Sequence, residues 1–181
     1  MKISDEVKTK IEEEFKKFEE IQYGGKDKKE RQKLGQFFTP PVLTIQMLEK
    51  FESITNKTIL DPTCGAGGLL AATVIAGADP NKVYGIELDP EILKIAQIRL
   101  AKHGVPPTHL KLGNALEDES YEFTSEEVPN AFVVLSKFNN DILVLIVKNK
   151  KLIKEIVFDN KDKLKELLIK LTRKNIKIFK V

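Results

Sequence analysis

The sequence predicts an α/β fold in which strands and helices alternate around a parallel, doubly wound sheet. Three observations predict it. Short apolar stretches alternate with helical patterns between residues 58 and 112, a glycine-rich turn follows the first stretch, and an acidic residue ends the second. Strand–helix–strand units of this length need crossovers, which are almost always right-handed and make successive strands parallel.

Two helices are predicted ahead of this alternating region. Apolar residues recur at helical spacing between charged ones over residues 4–22, which indicates an amphipathic helix ended by a pair of glycines. Thr39 followed by two prolines indicates a second helix, with Thr39 as its N-cap and proline in its first turn. The charged run over 26–33 between them is interpreted as a solvated linker or a helical turn.

The alternating region contains three predicted strands and two predicted helices. In chain order they are a strand over 58–60, a helix over 68–77, a strand over 82–86, a helix from Asp89-Pro90 to His103 and a strand over 109–112. Asp89 is interpreted as the N-cap of the second of these helices, because its carboxylate can accept hydrogen bonds from the first N–H groups. Gly104 ends that helix.

The pattern changes after Leu116. An acidic stretch over 117–127 is expected to be a loop. The predicted elements that follow are strands over 131–135, 141–147 and 152–158, a helix over 160–174 and a last strand over 176–181. We interpret residues 131–181 as a small basic β-β-α-β unit, behind an N-terminal helix and charged linker (1–33) and a central domain (34–130).

Composition narrows the class of protein. The chain has one cysteine and two histidines in 181 residues, so neither a disulfide framework nor a structural zinc site is expected. No apolar run approaches the roughly 20 residues that a membrane span needs, and the first residues lack the apolar core of a signal peptide. The expected location is therefore cytoplasmic, with no membrane partner.

Charge is distributed unevenly along the chain, although its net value is only +3. Residues 148–180 contain twelve lysines and arginines and four acidic residues, whereas residues 34–147 contain eight basic and fourteen acidic residues. A basic tail of this kind is a candidate DNA contact and is equally typical of a solvated surface.

The strongest motif lies in the turn after the first predicted strand, Asp61-Pro62-Thr63-Cys64-Gly65-Ala66-Gly67-Gly68. Taken alone, it could be an ordinary tight turn. Glycines also let the backbone approach a ligand closely, and the carboxyl end of the first strand is where such sheets bind ligands. The second strand is followed by Glu87, whose carboxylate can accept hydrogen bonds from ribose hydroxyls. Because the dinucleotide pattern Gly-x-Gly-x-x-Gly is absent, the two features favour a nucleoside without phosphates.

At these residues the chain resembles the DNA adenine-N6 methyltransferases, and most of all the modification subunits of type I restriction-modification systems. Four motifs carry the resemblance, which covers about residues 30–117. They are, in the family's order, Gly35-Gln36-Phe37-Phe38-Thr39-Pro40, Asp61 to Gly68, Gly85-Ile86-Glu87-Leu88-Asp89-Pro90 and Gly113-Asn114-Ala115-Leu116. The resemblance implies a Rossmann-like S-adenosylmethionine-dependent methyltransferase fold, incomplete in this chain, with S-adenosylmethionine as cofactor and DNA as substrate.

The resemblance also implies which residues would hold the cofactor. Glu87 would hold the ribose, and Asn114 and Ala115 would meet the adenine ring, with Asn114 in place of the commoner aspartate. Phe38 and Thr39 would line the methionine end. The full set of expected cofactor-binding residues is Phe38, Thr39, Asp61, Pro62, Gly65, Gly67, Glu87, Asn114 and Ala115.

The family's catalytic element, Asn or Asp followed by Pro-Pro and an aromatic residue, has no counterpart in this chain. In the family its oxygen atoms accept hydrogen bonds from the target amino group, and its aromatic ring stacks on the flipped base. The expected position falls near residues 134–140, where a strand is predicted but no proline occurs. Catalytic residues are therefore not assigned, and no target-recognition domain is expected after the cofactor motifs.

Three hypotheses stay open at this point. The first is an active methyltransferase that transfers the methyl group to an adenine amino group or to another acceptor, using residues near 134–141 or a partner subunit. The second is a non-catalytic accessory protein that binds S-adenosylmethionine. The third is a nucleic-acid-binding protein on a degenerate methyltransferase scaffold, with the basic tail as its working surface. His103, His109 and Cys64 are interpreted as structural residues.

Overall fold

A computed structural model describes residues 1–19, 21, 29, 38–117, 123, 131–138, 141–158, 161–174 and 176–181. The helices are α1 (Asp5–Phe18), α2 (Pro41–Glu49), α3 (Gly68–Ile75), α4 (Pro90–Lys102) and α5 (Lys161–Thr172). The strands are β1 (Ile59–Asp61), β2 (Val83–Glu87), β3 (Leu110–Leu112), β4 (Ala131–Phe138), β5 (Asp141–Lys148), β6 (Lys151–Phe158) and β7 (Lys177–Lys180). The charged run over 26–33 and the acidic loop over 117–127 lie almost entirely outside the described residues.

The first three strands form a parallel sheet in the order β1-β2-β3, which confirms the predicted α/β class. Asp61 pairs with Gly85, and Glu87 pairs with Leu112. The carboxyl ends of the three strands therefore meet at one edge of the sheet. This edge is where ligands bind in open α/β sheets.

Both crossover helices of this sheet pack on the same face. The shared core contains Leu70 and Ala71 of α3, Leu93, Ala96 and Leu100 of α4, and Val83 and Leu110 of the sheet. Among the described residues no strand pairs with the outer edge of β1, so the sheet is wound on one side only. The incomplete Rossmann-like fold is thus confirmed. The doubly wound arrangement is only half present, because the strands after β3 build a second sheet instead of crossing to the far side of β1.

Local signals account for where the helices begin. The side chain of Asp89 accepts hydrogen bonds from the N–H groups of Glu91 and Ile92, so the predicted N-cap of α4 is confirmed. At α2 the prediction of Thr39 as N-cap is wrong: Pro40 holds that position, without a side-chain cap. The helix begins one residue later than predicted, and Pro41 takes the first helical position, where its missing N–H is not needed.

The second sheet has the order β6-β5-β4-β7, with β4, β5 and β6 antiparallel and β7 parallel to β4. Three strands precede α5, at the positions predicted for three strands, so the order of the unit is β-β-β-α-β, and the label β-β-α-β leaves one of these strands out. One face packs on α4 and the other on α5. The first contact involves Ile98, Ala101, Phe132, Val134 and Leu145, and the second involves Val133, Leu135, Val144, Leu164 and Leu171.

The second sheet is docked on α4 through specific contacts. A Cβ placed on Gly104, which has φ +87°, would lie 2.4 Å from the carbonyl oxygen of Lys150 in the β5–β6 turn. Lys150 Nζ lies 2.9 Å from Asp79 Oδ1, and Lys102 Nζ lies 2.8 Å from Glu155 Oε1. The two sheets are therefore held on opposite sides of α4 in close contact.

At the other side of the molecule α1 packs on α2 and α3. The core that they share contains Ile3, Ile11, Phe15, Ile45, Leu48 and Ala72. From the same helix, Glu14 reaches α4, where its Oε1 accepts a hydrogen bond of 3.1 Å from Arg99 Nε. Among the described residues, no helix has the length and apolar character that crossing a membrane requires.

Candidate functional site

A cleft of about 860 Å³ opens at the carboxyl ends of β1, β2 and β3. Its volume lies within the range of small-molecule sites, roughly 300–1,000 Å³. The sequence-predicted residues that line it are Phe38, Thr39, Asp61, Pro62, Gly65, Glu87, Asn114 and Ala115. Four segments far apart in sequence therefore meet at one opening, as the family resemblance implied.

Gly67 is the predicted residue that does not line the cleft. It is the N-cap of α3 with φ +74°, and a Cβ on it would lie 3.1 Å from Leu100 Cδ1, behind the loop. Its contribution is to let the chain turn from the loop into α3 while α3 packs closely on α4. Gly67 thus shapes the loop from behind.

The glycine-rich loop, residues 61–68, is folded tightly over the tip of the sheet. Cys64 N–H donates to the carbonyl of Ile86 at 2.9 Å, and Gly67 N–H donates to the carbonyl of Cys64 at 2.9 Å. Gly65 has φ +53°, and a Cβ there would lie only 2.7 Å from Phe38 Cε1. The Phe38 ring therefore rests on the loop backbone, and glycine is required at this position for both reasons.

Glu87 joins the loop to the start of α4. Its Oε2 accepts a hydrogen bond of 2.9 Å from Gly65 N–H, and its Oε1 accepts one of 2.8 Å from Asp89 N–H. A carboxylate has about four acceptor positions, so each oxygen keeps a lone pair for a further donor. Because Glu87 lines the cleft, a pair of neighbouring hydroxyls on a ligand is a suitable partner for these acceptors.

Asp61 places a second carboxylate in the cleft. Burial raises the pKa of Asp61, and the nearby charge of Glu87 raises it further, against the effect of a hydrogen bond from Thr63 N–H at 3.1 Å. The two carboxylates therefore repel each other in a partly buried space. A positively charged group on a ligand would relieve that repulsion.

The end of the cleft beside β3 is formed by a turn and two apolar side chains. Asn114 Oδ1 accepts from Leu116 N–H at 3.1 Å, and its Nδ2 donates to Glu117 Oε1 at 3.1 Å. Leu88 and Leu116 flank this turn and are 69% and 93% exposed. Exposed apolar side chains beside amide groups suit a flat aromatic ring that also carries polar edges.

The opposite end of the cleft contains residues that the sequence reasoning missed. Phe15 of α1, Leu69 of α3 and Arg99 of α4 line it, next to Gly68, the last residue of the glycine-rich motif. Phe15 belongs to a helix that has no motif in common with the glycine-rich loop, so nothing in its sequence context indicated a site. Arg99 did carry a signal, because it continues the apolar face of α4 one turn after Ile95, where a charged residue is unusual.

The strand near residues 134–140 does not reach the cleft. β4 forms as predicted but pairs with β5 and β7. No residue beyond Leu116 lines the cleft among those that the structure describes. Asn139 and Asn140 lie outside the described residues. The expected location of a catalytic strand beside β1 is therefore not filled by β4.

The two histidines and the cysteine contact other parts of the protein in ways that fit structural roles. His109 Nδ1 lies 3.1 Å from the carbonyl oxygen of Val83, and its ring stacks on Tyr84. His103 Nε2 lies 3.1 Å from Glu14 Oε2. Cys64 is buried, and burial raises the pKa of its thiol well above the usual range. Within the described ranges no group of three or more metal-ligating side chains occurs.

Comparison with known proteins gives a consistent class. The family model for N-6 DNA Methylase matches residues 20–174. The Ubiquinone biosynthesis O-methyltransferase of Chromobacterium violaceum is 33% identical over 90 residues, which is 50% of this chain and 34% of that protein. The Ribosomal RNA small subunit methyltransferase H of Synechococcus sp. is 38% identical over 71 residues, 39% of this chain and 22% of that protein.

A third relative is also a methyltransferase by name. The Type II methyltransferase M.VspI of Vibrio sp. is 31% identical over 71 residues, 39% of this chain and 17% of that protein. The chain thus spans about a third or less of the length of the curated relatives it matches. All these relatives are methyltransferases, although their names give different acceptors.

Proposed function

Because this chain belongs to the N-6 DNA methylase family, we propose that its cleft binds S-adenosylmethionine as the methyl donor for adenine in DNA. The chain is methyltransferase-like, and the alternative of a non-catalytic accessory protein that binds S-adenosylmethionine or nucleic acid is not favoured by its relatives. One observation carries the proposal. The glycine-rich loop and Glu87 meet in one cleft and are joined by the 2.9 Å hydrogen bond from Gly65 N–H.

The proposed orientation of the cofactor follows the chemistry along the cleft. The ribose hydroxyls would donate to Glu87, and the adenine ring would lie between Leu88 and the turn at Asn114 and Ala115. The methionine end would then extend past Pro62 and Gly65 towards Phe38, Thr39 and Asp61. S-adenosylmethionine supplies a methyl group on a positively charged sulfur. The carboxylates of Asp61 and Glu87 fit such a cation, since their repulsion would fall in its presence.

We propose that the acceptor half of the reaction is contributed by another polypeptide. The described part of the chain leaves the outer edge of β1 unpaired, and β4 lies in a different sheet. A partner subunit would therefore supply the oxygen atoms that accept hydrogen bonds from the target amino group. The basic unit at 131–181 is the proposed DNA contact, and it would orient the substrate without lining the cleft.

Calorimetric titration with S-adenosylmethionine tests the cofactor site. The wild-type chain is expected to bind it, and Glu87→Gln is expected to weaken binding by about 10-fold or more, since a charged acceptor of hydrogen bonds is lost. Glu52→Gln, at an exposed position outside the cleft, is the matched control and should leave affinity unchanged. Failure of the wild-type chain to bind, or equal affinity in Glu87→Gln, would contradict the proposal.

A transfer assay with radiolabelled methyl donor separates the activity from binding. The purified chain alone is expected to transfer little label to DNA, whereas an extract from its own source is expected to restore transfer by supplying the partner. Binding without transfer under both conditions would contradict the proposed activity and leave a non-catalytic, cofactor-binding accessory protein.

A further inference from the structure

Arg99 is the most deeply buried charged side chain beside the cleft. It is 1% exposed, and its guanidinium lies 4.9 Å from the centre of the Phe15 ring and 4.7 Å from that of Phe18. Its Nε donates to Glu14 Oε1 at 3.1 Å, and its Nη2 donates to the carbonyl of Glu14 at 3.5 Å. Burying an arginine costs free energy unless its charge and its N–H groups are paired, so a partner is expected for its remaining nitrogen.

The third nitrogen, Nη1, points to the first turn of α3. It lies 3.2 Å from the place where a Cβ on Gly68 would stand, and both residues line the cleft. Within the part of the chain that the structure describes, Nη1 has no hydrogen-bond partner, whereas Nε and Nη2 both do. A buried guanidinium therefore presents its one unused edge to the cleft.

The first turn of α3 adds a second donor group at the same point. The N–H groups at the start of a helix have no partner within the helix and carry the positive end of its dipole. The N-cap of α3 is Gly67, which has no side chain to satisfy them. Gly68 and Leu69 both line the cleft, and because Gly68 has no side chain its backbone forms part of the cleft wall.

We infer that Arg99 Nη1 and the first turn of α3 form a subsite for the carboxylate of an amino-acid group. This inference rests on the proposed function and names the residue that would recognise one end of the cofactor. A carboxylate fits the planar edge of a guanidinium and the N–H groups of a helix start. A phosphate dianion fits less well, because Asp61 and Glu87 are in the same cleft and Glu14 already offsets part of the arginine charge.

The charges that face Arg99 set how strong the subsite can be. Glu14 is its direct partner, and His103 Nε2 lies 3.1 Å from the other oxygen of Glu14. Burial opposes the charge on Glu14, but the hydrogen bonds and charges of His103 and Arg99 lower its pKa, so it stays ionised at neutral pH. Removing the Glu14 charge should therefore leave Arg99 more positive towards the cleft.

Two nucleosides that differ by the carboxylate test the inference. S-adenosylmethionine carries it, and decarboxylated S-adenosylmethionine lacks it but keeps the amine and the charged sulfur. The wild-type chain is expected to prefer the first by about 10- to 100-fold in Kd, the range for hydrogen bonds to a charged group. If neither nucleoside binds, the proposed function fails. If both bind equally, only the carboxylate subsite fails.

The double variant at Glu14 and Arg99 and the single variant at Glu14 are expected to change the preference for the carboxylate-bearing nucleoside in different ways. The double variant Glu14→Gln/Arg99→Gln removes both buried charges together, which avoids an uncompensated one, and is expected to abolish the preference while leaving the affinity for the decarboxylated compound unchanged. Glu14→Gln alone is expected to keep the preference or widen it. A preference retained by the double variant, or narrowed by Glu14→Gln, overturns the inference.

A folding control keeps the result interpretable. The thermal midpoint of each variant is measured beside its affinities, and Arg99→Lys replaces the double variant if that one does not fold. Lysine keeps a positive charge but lacks the planar edge of the guanidinium, so the preference should fall without vanishing. An undiminished preference in a folded Arg99→Lys variant counts against the assignment of Nη1.

Discussion

At the scale of single residues, the cleft holds two carboxylates in unlike surroundings. Glu87 accepts two backbone hydrogen bonds and so fixes the glycine-rich loop to the start of α4. Asp61 accepts one, from Thr63 N–H, and is held close to the charge of Glu87. One acidic residue therefore stabilises the site that contains it, whereas the other is kept at a cost to stability. Residues of the second kind are typical of binding sites.

Asp61→Asn is predicted to stabilise the ligand-free protein at neutral pH. Because burial and Glu87 raise the pKa of Asp61, its ionised form is disfavoured in the folded state, and stability falls as pH rises through that pKa. Asparagine removes the charge and can still accept the hydrogen bond from Thr63 N–H. Thermal midpoints across the acidic-to-neutral range should show a gain that shrinks as pH falls towards the ordinary aspartate value of about 3.9.

The control for this prediction is Asp79→Asn, which should have the opposite sign. Although burial opposes its charge, the hydrogen bond and charge of Lys150 lower the pKa of Asp79, so its ionised form stabilises the folded state. That contribution is lost as pH falls through the lowered pKa. Equal shifts of the thermal midpoint in the two variants would contradict the assignment of opposite environments.

At the scale of elements, α4 joins the cleft to the second sheet. Its Asp89 cap begins beside Glu87, Arg99 reaches the cleft from its middle, and Gly104 follows its end under the β5–β6 turn. A helix that contacts both a ligand site and a neighbouring sheet couples their positions. A substitution just after the C-terminal end of α4 therefore tests how the second sheet packs on α4, rather than the cleft itself.

Gly104→Ala is predicted to destabilise the protein more than Gly77→Ala does. Both glycines have positive φ, +87° and +108°, so both substitutions introduce backbone strain of the order of 1–2 kcal/mol. At Gly104 the new Cβ would also collide with the Lys150 carbonyl at 2.4 Å, whereas nothing lies within 4 Å at Gly77. Thermal or urea unfolding of the two variants measures the difference, and similar losses would mean that the β5–β6 turn moves away easily.

At the scale of the whole molecule, the proposed cofactor cleft and the excess of positive charge lie in different parts of the structure. The cleft belongs to the parallel sheet and the helices that surround it. The lysine-rich surface belongs to the second sheet and α5, none of whose described residues line the cleft. This separation suits a protein that binds a long polyanion on one surface while part of the same polyanion reaches a site on another surface.

Removing positive charge from α5 and the residue that follows it is predicted to weaken DNA binding in a salt-dependent manner. The variant Lys165→Gln/Lys170→Gln/Arg173→Gln changes three exposed residues and should lower the slope of log affinity against log salt by about 2–3, roughly 0.9 for each lost phosphate contact. The matched control replaces three exposed lysines of the N-terminal region, Lys2, Lys16 and Lys17. Equal slopes in both variants would assign the DNA contact to some other surface.

The sequence by itself determined the features that depend on neighbouring residues. The cap at Asp89, the glycine-rich loop and the acidic tip at Glu87 were all identified correctly as elements of the chain, because capping, positive φ and strand ends are set within a few residues. The alternation of strands and helices also predicted that β1, β2 and β3 are parallel. The family resemblance added further residues to these local signals, and eight of the nine residues predicted in this way line one cleft.

Only the tertiary structure decided what lies across from those residues. Glu14 meets Arg99 from 85 positions away, and Lys150 meets Gly104 through a sheet whose strands could have paired with β1 instead. Such contacts depend on which apolar faces bury each other, and the sequence of one element does not specify its partner. The sheet edge left open beside β1, and the buried arginine at the end of the cleft, follow from that choice of partners.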